Sequence, residues 1–279
     1  MSLSKAQIAR YSRQLILPEL GVRGQERLRR ASVLIIGAGG LGSPAAFYLA
    51  AAGVGTLGIL DHDAVALSNL HRQILHTTEE VGRPKSHSAK RRLEALNPDV
   101  QVEAIQASLT AANALKAVSP FDVVVDGTDN FTARYLTNDT CVLAGKPLVY
   151  GGVVQFRGQV MTIRPRTSAC FRCVFPEPPL PDAVPSCQEA GILGSIAGVI
   201  GSLMAQEVLK LLAGMGQLLT DRLLVFDGLN GRFREVAVRR NPACAVCGDA
   251  PSVRAPESTG QSSACGRAQQ STAKGRQSD

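Results

Sequence analysis

Residues 31–42 read ASVLIIGAGGLG. Ala31 to Ile36 is a short, nearly all-apolar run, which suits a strand buried on both faces. Gly37-Ala38-Gly39-Gly40-Leu41-Gly42 comes next and satisfies GxGxxG, and a small-residue helix is expected from Ser43 to about Ala52. Glycines here let the backbone turn sharply and approach a phosphate, whose charge a helix N-terminus stabilises. Thr56 to Leu60 reads as a second strand. It ends at Asp61, nineteen residues after Gly42 and so placed to hydrogen-bond a ribose hydroxyl. Taken alone, this unit points to NAD.

Strand-like runs recur outward from it at Val100 to Ile105 and Asp122 to Val125, with helices expected at about Lys85 to Leu96 and Asn130 to Ala144. Such β-α alternation predicts a parallel, doubly wound sheet. Upstream, Ser4 with Gln7 forms a capping-box pattern, and Ile8, Tyr11, Leu15 and Ile16 make an apolar stripe on a first helix. After about Pro147 the texture changes. Leu148 to Val154, Gln159 to Ile163, Leu223 to Phe226 and Arg234 to Val238 look like strands with shorter links. They are interrupted by the Pro-rich segment Phe175 to Pro185 and a long helix from about Ile192 to Leu212. The expected fold is α/β: a Rossmann-like, doubly wound, mainly parallel sheet continued by antiparallel strands. One domain should cover residues 1–248, and residues 249–279, rich in Ser, Gln, Ala and Gly, read as a disordered tail.

Composition limits the function classes. Of 279 residues, 45% are hydrophobic and 19% charged, an ordinary globular balance. Aromatics are 4% with no Trp, which argues against a stacking groove for single-stranded nucleic acid. The net charge of +7, from 30 Lys plus Arg against 23 Asp plus Glu, fits either a solvated basic surface or the handling of phosphate-bearing ligands. The most apolar stretch, Gly191 to Ala205, is shorter than the roughly 20 residues a bilayer needs, and the N-terminus has no apolar run resembling a signal peptide. No membrane association is expected, and a cytoplasmic location is. There thiols stay reduced, so the 7 cysteines need a reason other than disulfides.

The residues beyond Asp61 argue against a dehydrogenase. Ser68-Asn69-Leu70-His71-Arg72-Gln73 puts a cation and two amides past the ribose site, and Lys85 comes shortly after. Asp126-Gly127-Thr128-Asp129-Asn130 ends the fourth strand with two carboxylates at the sheet's C-terminal edge, where ligands of such folds bind. Hydride transfer has little use for Arg72, Lys85 and a carboxylate gathered together. A triphosphate with Mg²⁺ does, because metal and cations neutralise charge as pyrophosphate leaves. An NAD(P)-dependent oxidoreductase remains the alternative.

Cys170-Phe171-Arg172-Cys173 and Cys244-Ala245-Val246-Cys247 form two CxxC pairs. Together they offer four thiolates for a closed tetrahedral zinc site, whose role would be structural. The competing reading is a redox-active CxxC, which needs only one pair. Cys187 lies after a Pro-rich run on an expected loop entering the long helix, where a helix N-terminus lowers a thiol's pKa. Cys141 reads as packing, and Cys265 falls in the tail.

Arg13-Gln14, GAGGLGS, Asp61, SNLHRQ, Lys85, DGTDN and the two CxxC pairs, in this order from about Tyr11 to Gly248, resemble the HesA/MoeB/ThiF adenylyltransferase family of the ubiquitin-activating-enzyme-like superfamily. The resemblance implies ATP- and Mg²⁺-dependent adenylation of the C-terminal carboxylate of a small ubiquitin-fold sulfur-carrier protein ending in Gly-Gly. By motif, Gly39, Gly40 and Gly42 would line the phosphates and Asp61 would hold the ribose. Ser68, Asn69, Arg72, Gln73 and Lys85 would bind the nucleotide, Asp129 would hold Mg²⁺, and Asn130 would lie beside it. Cys170, Cys173, Cys244 and Cys247 match the family's Zn²⁺ pattern. Arg13 matches an arginine that reaches into the partner subunit's site, which implies a homodimer. Cys187 matches the region that carries sulfur transfer or thioester chemistry in relatives. Many relatives carry a rhodanese domain after the matched region, and none is legible here, so a separate sulfur donor is expected. The pathway, molybdopterin or thiamine among others, is not legible.

Overall fold

The computed structural model describes residues 3–179 and 190–257. Its first strand, β1 (Ser32–Ile36), is apolar because both faces are covered: Val33 and Ile35 face one core, Leu34 and Ile36 the other. Each such buried side chain contributes about 1.5–3 kcal/mol relative to exposure. β1 lies between β2 (Thr56–Leu60) and β4 (Val123–Asp126), both parallel to it, with β3 (Gln101–Ile105) outside β2 and β5 (Leu148–Val154) outside β4. From β5 onward the pairing turns antiparallel through β6 (Arg157–Ile163), β7 (Arg222–Asp227) and β8 (Arg232–Ala237). The order among the described residues is therefore β3-β2-β1-β4-β5-β6-β7-β8, an eight-stranded sheet of the expected class.

Successive strands leave β1 in opposite directions, β2 and β3 to one side and β4 and β5 to the other. This makes the β1/β4 boundary the switch point, where a crevice opens at the carboxyl ends of the strands. Helices α4 (Gly42–Ala51) and α5 (Lys85–Leu96) cover one face with the long α9 (Gly194–Ala213), and α6 (Ala114–Val118), α7 (Phe131–Ala144) and the short α8 (Phe171–Val174) cover the other. By length and composition α9, at 20 residues, could cross a bilayer, which exceeds the sequence expectation. It is instead packed against α4, β5, β6 and α3 (Gly21–Arg30).

Two local readings change. The expected first helix keeps its capping box but divides at Tyr11 into α1 (Lys5–Arg10) and α2 (Ser12–Leu15). Only Tyr11 of the apolar stripe is buried, its ring against Gly53, while Ile8 and Ile16 face outward. The ordered contacts also pass Gly248: Arg240 donates to Asp249, and Val253 packs beside the second CxxC turn. Residues 258–279, most of the expected tail, lie outside the described residues, as do Cys187 and Cys265.

Candidate active site

The glycine loop is built by close backbone approach. Gly37 has φ +90°, and a Cβ on Gly42 would lie 1.9 Å from the Gly37 carbonyl oxygen, so neither position admits a side chain. On the neighbouring strand, a Cβ on Gly127 would meet the same oxygen at 2.8 Å. The loop after β1 and the loop after β4 thus abut at the switch point. Beside them opens a cleft of about 360 Å³, walled by residues at the ends of β1, β2, β3 and β4.

Asp61, Lys85, Asp129 and Asn130 all line this cleft, as the sequence predicted. Asp61 is buried and already engaged: Oδ2 accepts from the Ala38 N–H and Oδ1 from the Asp63 N–H, each at 2.8 Å. Lys85, the first residue of α5, is buried and donates to Asp63 Oδ2 at 2.8 Å. Asp63 was not legible as a site residue. Burial raises its carboxyl pKa, but the hydrogen bond and the charge of Lys85 outweigh that and leave it below the ordinary carboxylate range. Asp129 is exposed at the mouth. Asn130 has a defined structural task, since its Oδ1 caps α7 by accepting from the Ala133 N–H at 2.8 Å. Asp126 is fully buried, with Oδ1 held by Thr128 and Oδ2 unpartnered; burial pushes its carboxyl up, against the pull of Arg134.

The SNLHRQ residues gather on another side of the loop rather than along this cleft. Arg72 Cγ lies 3.6 Å from where a Cβ on Gly40 would stand, and Gln73 Nε2 the same distance from one on Gly39. Arg72 is oriented by donating to the Ser68 carbonyl at 3.2 Å and to Asn69 Oδ1 at 3.1 Å. The buried Gln73 Oε1 has no partner, which leaves it available to a ligand. Arg13 is not brought to the cleft. Its neighbour Gln14 donates to Ala52, which caps the C-terminal end of α4, whereas the glycine loop is at the N-terminal end. Ten helical residues separate the two ends, about 15 Å.

The four thiols converge. Cys170, Cys173, Cys244 and Cys247 place their Sγ atoms within 4.8 Å of one another, at 3.9 Å (170–173), 3.6 Å (170–244) and 3.4 Å (173–247). A tetrahedral zinc with Zn–S of roughly 2.3 Å implies S···S edges of about 3.8 Å, so the donor set fits that ion. Hydrogen bonds to Cys173 from the Cys170 thiol and from the Asn241 N–H lower its pKa, toward the thiolate a metal requires. This knuckle is riveted to α7: Arg172 forms a bidentate ion pair with buried Asp139, and Asn138 Oδ1 accepts from the Phe171 N–H at 2.9 Å. Cys141 is buried, as expected of a packing residue, and burial pushes its thiol well up.

The ThiF family model matches residues 11–246. The chain belongs to the ThiF family. This ThiF-family chain is 54% identical over 259 residues to the sulfur carrier protein adenylyltransferase of Thermus thermophilus, covering 91% of the chain and 96% of that protein. It is 51% identical over 252 residues to the adenylyltransferase and sulfurtransferase MOCS3 of Anopheles gambiae, covering 90% of the chain but 57% of the relative, so it spans little more than half of that protein's length. Among solved structures, E. coli MccB superposes with a TM-score of 0.77 at 25% identity, over 87% of this chain and 73% of that one. The ThiF-family match leaves the oxidoreductase alternative without support.

Proposed function

We propose that this protein adenylates the C-terminal carboxylate of a small ubiquitin-fold sulfur-carrier protein ending in Gly-Gly, using ATP and releasing pyrophosphate. One observation carries the reading. A ThiF-family chain, 54% identical across nearly the whole of a sulfur carrier protein adenylyltransferase, has a buried lysine, Lys85, and an exposed aspartate, Asp129, lining the same switch-point cleft.

The chemistry asks for positioning and charge compensation. A C-terminal carboxylate, with an ordinary pKa of about 3.3–3.7, is already ionised at neutral pH and needs no base. One of its oxygens bonds to the α-phosphorus as the bond from that phosphorus to the pyrophosphate oxygen breaks. The electron pair leaves with pyrophosphate, and the carrier is left as an acyl-adenylate. In this reading Lys85 and Arg72 offset the charge that develops on the departing group, and the N–H groups at the start of α4 hold phosphate oxygens. Asp61, in the cleft wall, would hold the ribose, and Asn69 orients Arg72. Oxygen donors suit Mg²⁺, which Asp129 would hold; it would add positive charge at the phosphates. Zinc at the four cysteines would fix the knuckle against α7.

The separation of Arg13 from its own glycine loop supports a homodimer in which Arg13 completes the partner's site. Exposed Tyr48, lining an apolar groove beside α9, suits such an interface. The resulting acyl-adenylate would accept sulfur from a separate donor protein, with Cys187 as the residue for that later step. A cytoplasmic setting, which keeps the metal-binding thiols reduced, goes with this reading.

Carrier-dependent exchange of labelled pyrophosphate into ATP tests the proposal. Exchange that requires a Gly-Gly-ending carrier and is lost when its last glycine is deleted is expected. Absence of exchange with every such carrier encoded in the same genome would overturn it.

A further inference from the structure

His76 has no part in the adenylyl transfer itself, yet it reaches the phosphate loop from below. It is buried, and its two ring nitrogens contact different elements: Nε2 lies 3.0 Å from the Ala38 carbonyl oxygen and Nδ1 2.7 Å from Ser88 Oγ on α5. A carbonyl only accepts, so Nε2 carries the proton, and in the neutral ring Nδ1 then accepts from the Ser88 hydroxyl. Ser43 Oγ also approaches the Ala38 carbonyl, at a longer 3.4 Å. The other end of Ala38 is fixed too, because its N–H donates to Asp61.

The geometry of the peptide unit gives this contact its consequence. In a planar trans peptide the C=O of one residue and the N–H of the next point in opposite directions. Holding the Ala38 carbonyl toward His76 therefore turns the Gly39 N–H away from the buried side, outward from the loop. Asp61 fixes the preceding peptide in the same manner. We infer that His76 is a positioning residue that, together with Asp61, locks the two peptides flanking Ala38 so that the Gly39 N–H is aimed at a nucleotide phosphate before the nucleotide arrives. The inference rests on the adenylyl-transfer reading for the identity of that ligand.

The surroundings keep the imidazole in the form this role needs. Burial lowers its pKa, and the charge of Lys85 lowers it further, against the hydrogen bond to Ala38 and the charges of Glu80 and Asp61, which raise it. Glu80 is itself engaged by Arg91, with contacts at 2.8 and 3.2 Å, by the Thr77 N–H and hydroxyl, and by Ser88, which stands between it and the ring. The ring is thus neutral with a defined tautomer at physiological pH. As pH falls, an unfolded chain takes up a proton near the ordinary value of 6.5 while the folded one resists it. Stability associated with His76 is therefore lost below about pH 6.5.

Asparagine and glutamine separate the two ring contacts. Asn carries its polar atoms near the Nδ1 position and is too short for Ala38, whereas Gln reaches as far as Nε2 and cannot titrate. With Mg-ATP at pH 7.5 in calorimetric titration, His76→Asn should weaken nucleotide binding about tenfold, the scale of one buried hydrogen bond, and His76→Gln should stay within about threefold of wild type. The carrier KM should not move in either. His76→Gln should also flatten the fall of Tm between pH 7 and pH 5.5. In the wild-type protein, ring nitrogen NMR should show the Nε2–H tautomer, with signals that shift on adding ATP. Equal ATP affinity in all three proteins, an Nδ1–H tautomer, or ring signals indifferent to ATP would overturn the inference, and the NMR decides it even if His76→Asn fails to fold. Failure of the wild type to bind ATP at all would sink the adenylyl-transfer reading instead.

Discussion

Lys85 Nζ lies 2.8 Å from Asp63 Oδ2, with the lysine side chain 5% exposed and the aspartate 53% exposed. The cation in the wall of the cleft is thus held by a carboxylate that approaches from the solvent side. Because the pair shifts Asp63 downward, its contribution to stability is complete above the ordinary value of 3.8 and is lost as pH falls through the lower folded value. Asp63→Asn should lower Tm by about 1–3 °C at neutral pH, a small effect for a half-solvated pair. Thermal scans should find that gap constant from pH 8 to 5 and closing below about pH 4. Lys85→Ala should lower pyrophosphate exchange by more than about 100-fold, as removal of a preorganised charge does. Exchange within a few-fold of wild type would remove Lys85 from the phosphate site.

Asp129→Ala should abolish carrier-dependent exchange with Tm unchanged within about 2 °C, because the residue is exposed and packs nothing. Asn130→Ala behaves differently. It removes the N-cap of α7, so a loss of about 1 kcal/mol in stability should accompany any loss of activity. Paired exchange assays and calorimetry distinguish the two patterns.

Elemental analysis should find about one zinc per chain, and Cys244→Ser should remove it together with at least about 8 °C of Tm. Arg172→Ala leaves the thiols in place but strips buried Asp139 of its partner, a change worth about 3–5 kcal/mol. It should therefore destabilise the fold while zinc is retained. Metal loss on Arg172→Ala without a change in Tm would contradict the packing of the knuckle against α7.

Mixing tests the two-chain site. Arg13→Ala and Lys85→Ala proteins should each be inactive alone. After subunit exchange in equal amounts they should recover roughly a quarter of wild-type activity, because half the dimers are mixed and each mixed dimer has one intact site. If Arg13 served its own chain, no activity would return.

The parts of this molecule that depend on local pattern were readable from sequence. Lys85 to Leu96 and Leu148 to Val154 have the predicted bounds, since one opens after Pro84 and closes at Asn97, and the other is a run of buried apolar residues. Helix α3 was missed because GVRGQERLRR presents its buried side as Gly24, Gln25 and Leu28, a stripe with a single large apolar residue. Partners distant along the chain were also invisible. Asp63 precedes Lys85 by 22 positions and Ala38 precedes His76 by 38, and only the winding of the sheet brings each pair together. Asn130 had a motif but not its reason, for the cap it provides is a matter of φ and ψ.

The contact between Gly37 and Gly127 has a mechanical corollary. Main chain rests on main chain there, with no side chain as a cushion, so the wall bearing Asp129 and the wall formed by the glycine loop cannot part independently. Thermal breathing of the crevice must come from its outer rim, while the two innermost loops travel in lockstep as one floor. Even alanine at either glycine would act as a wedge and spread strands β1 and β4.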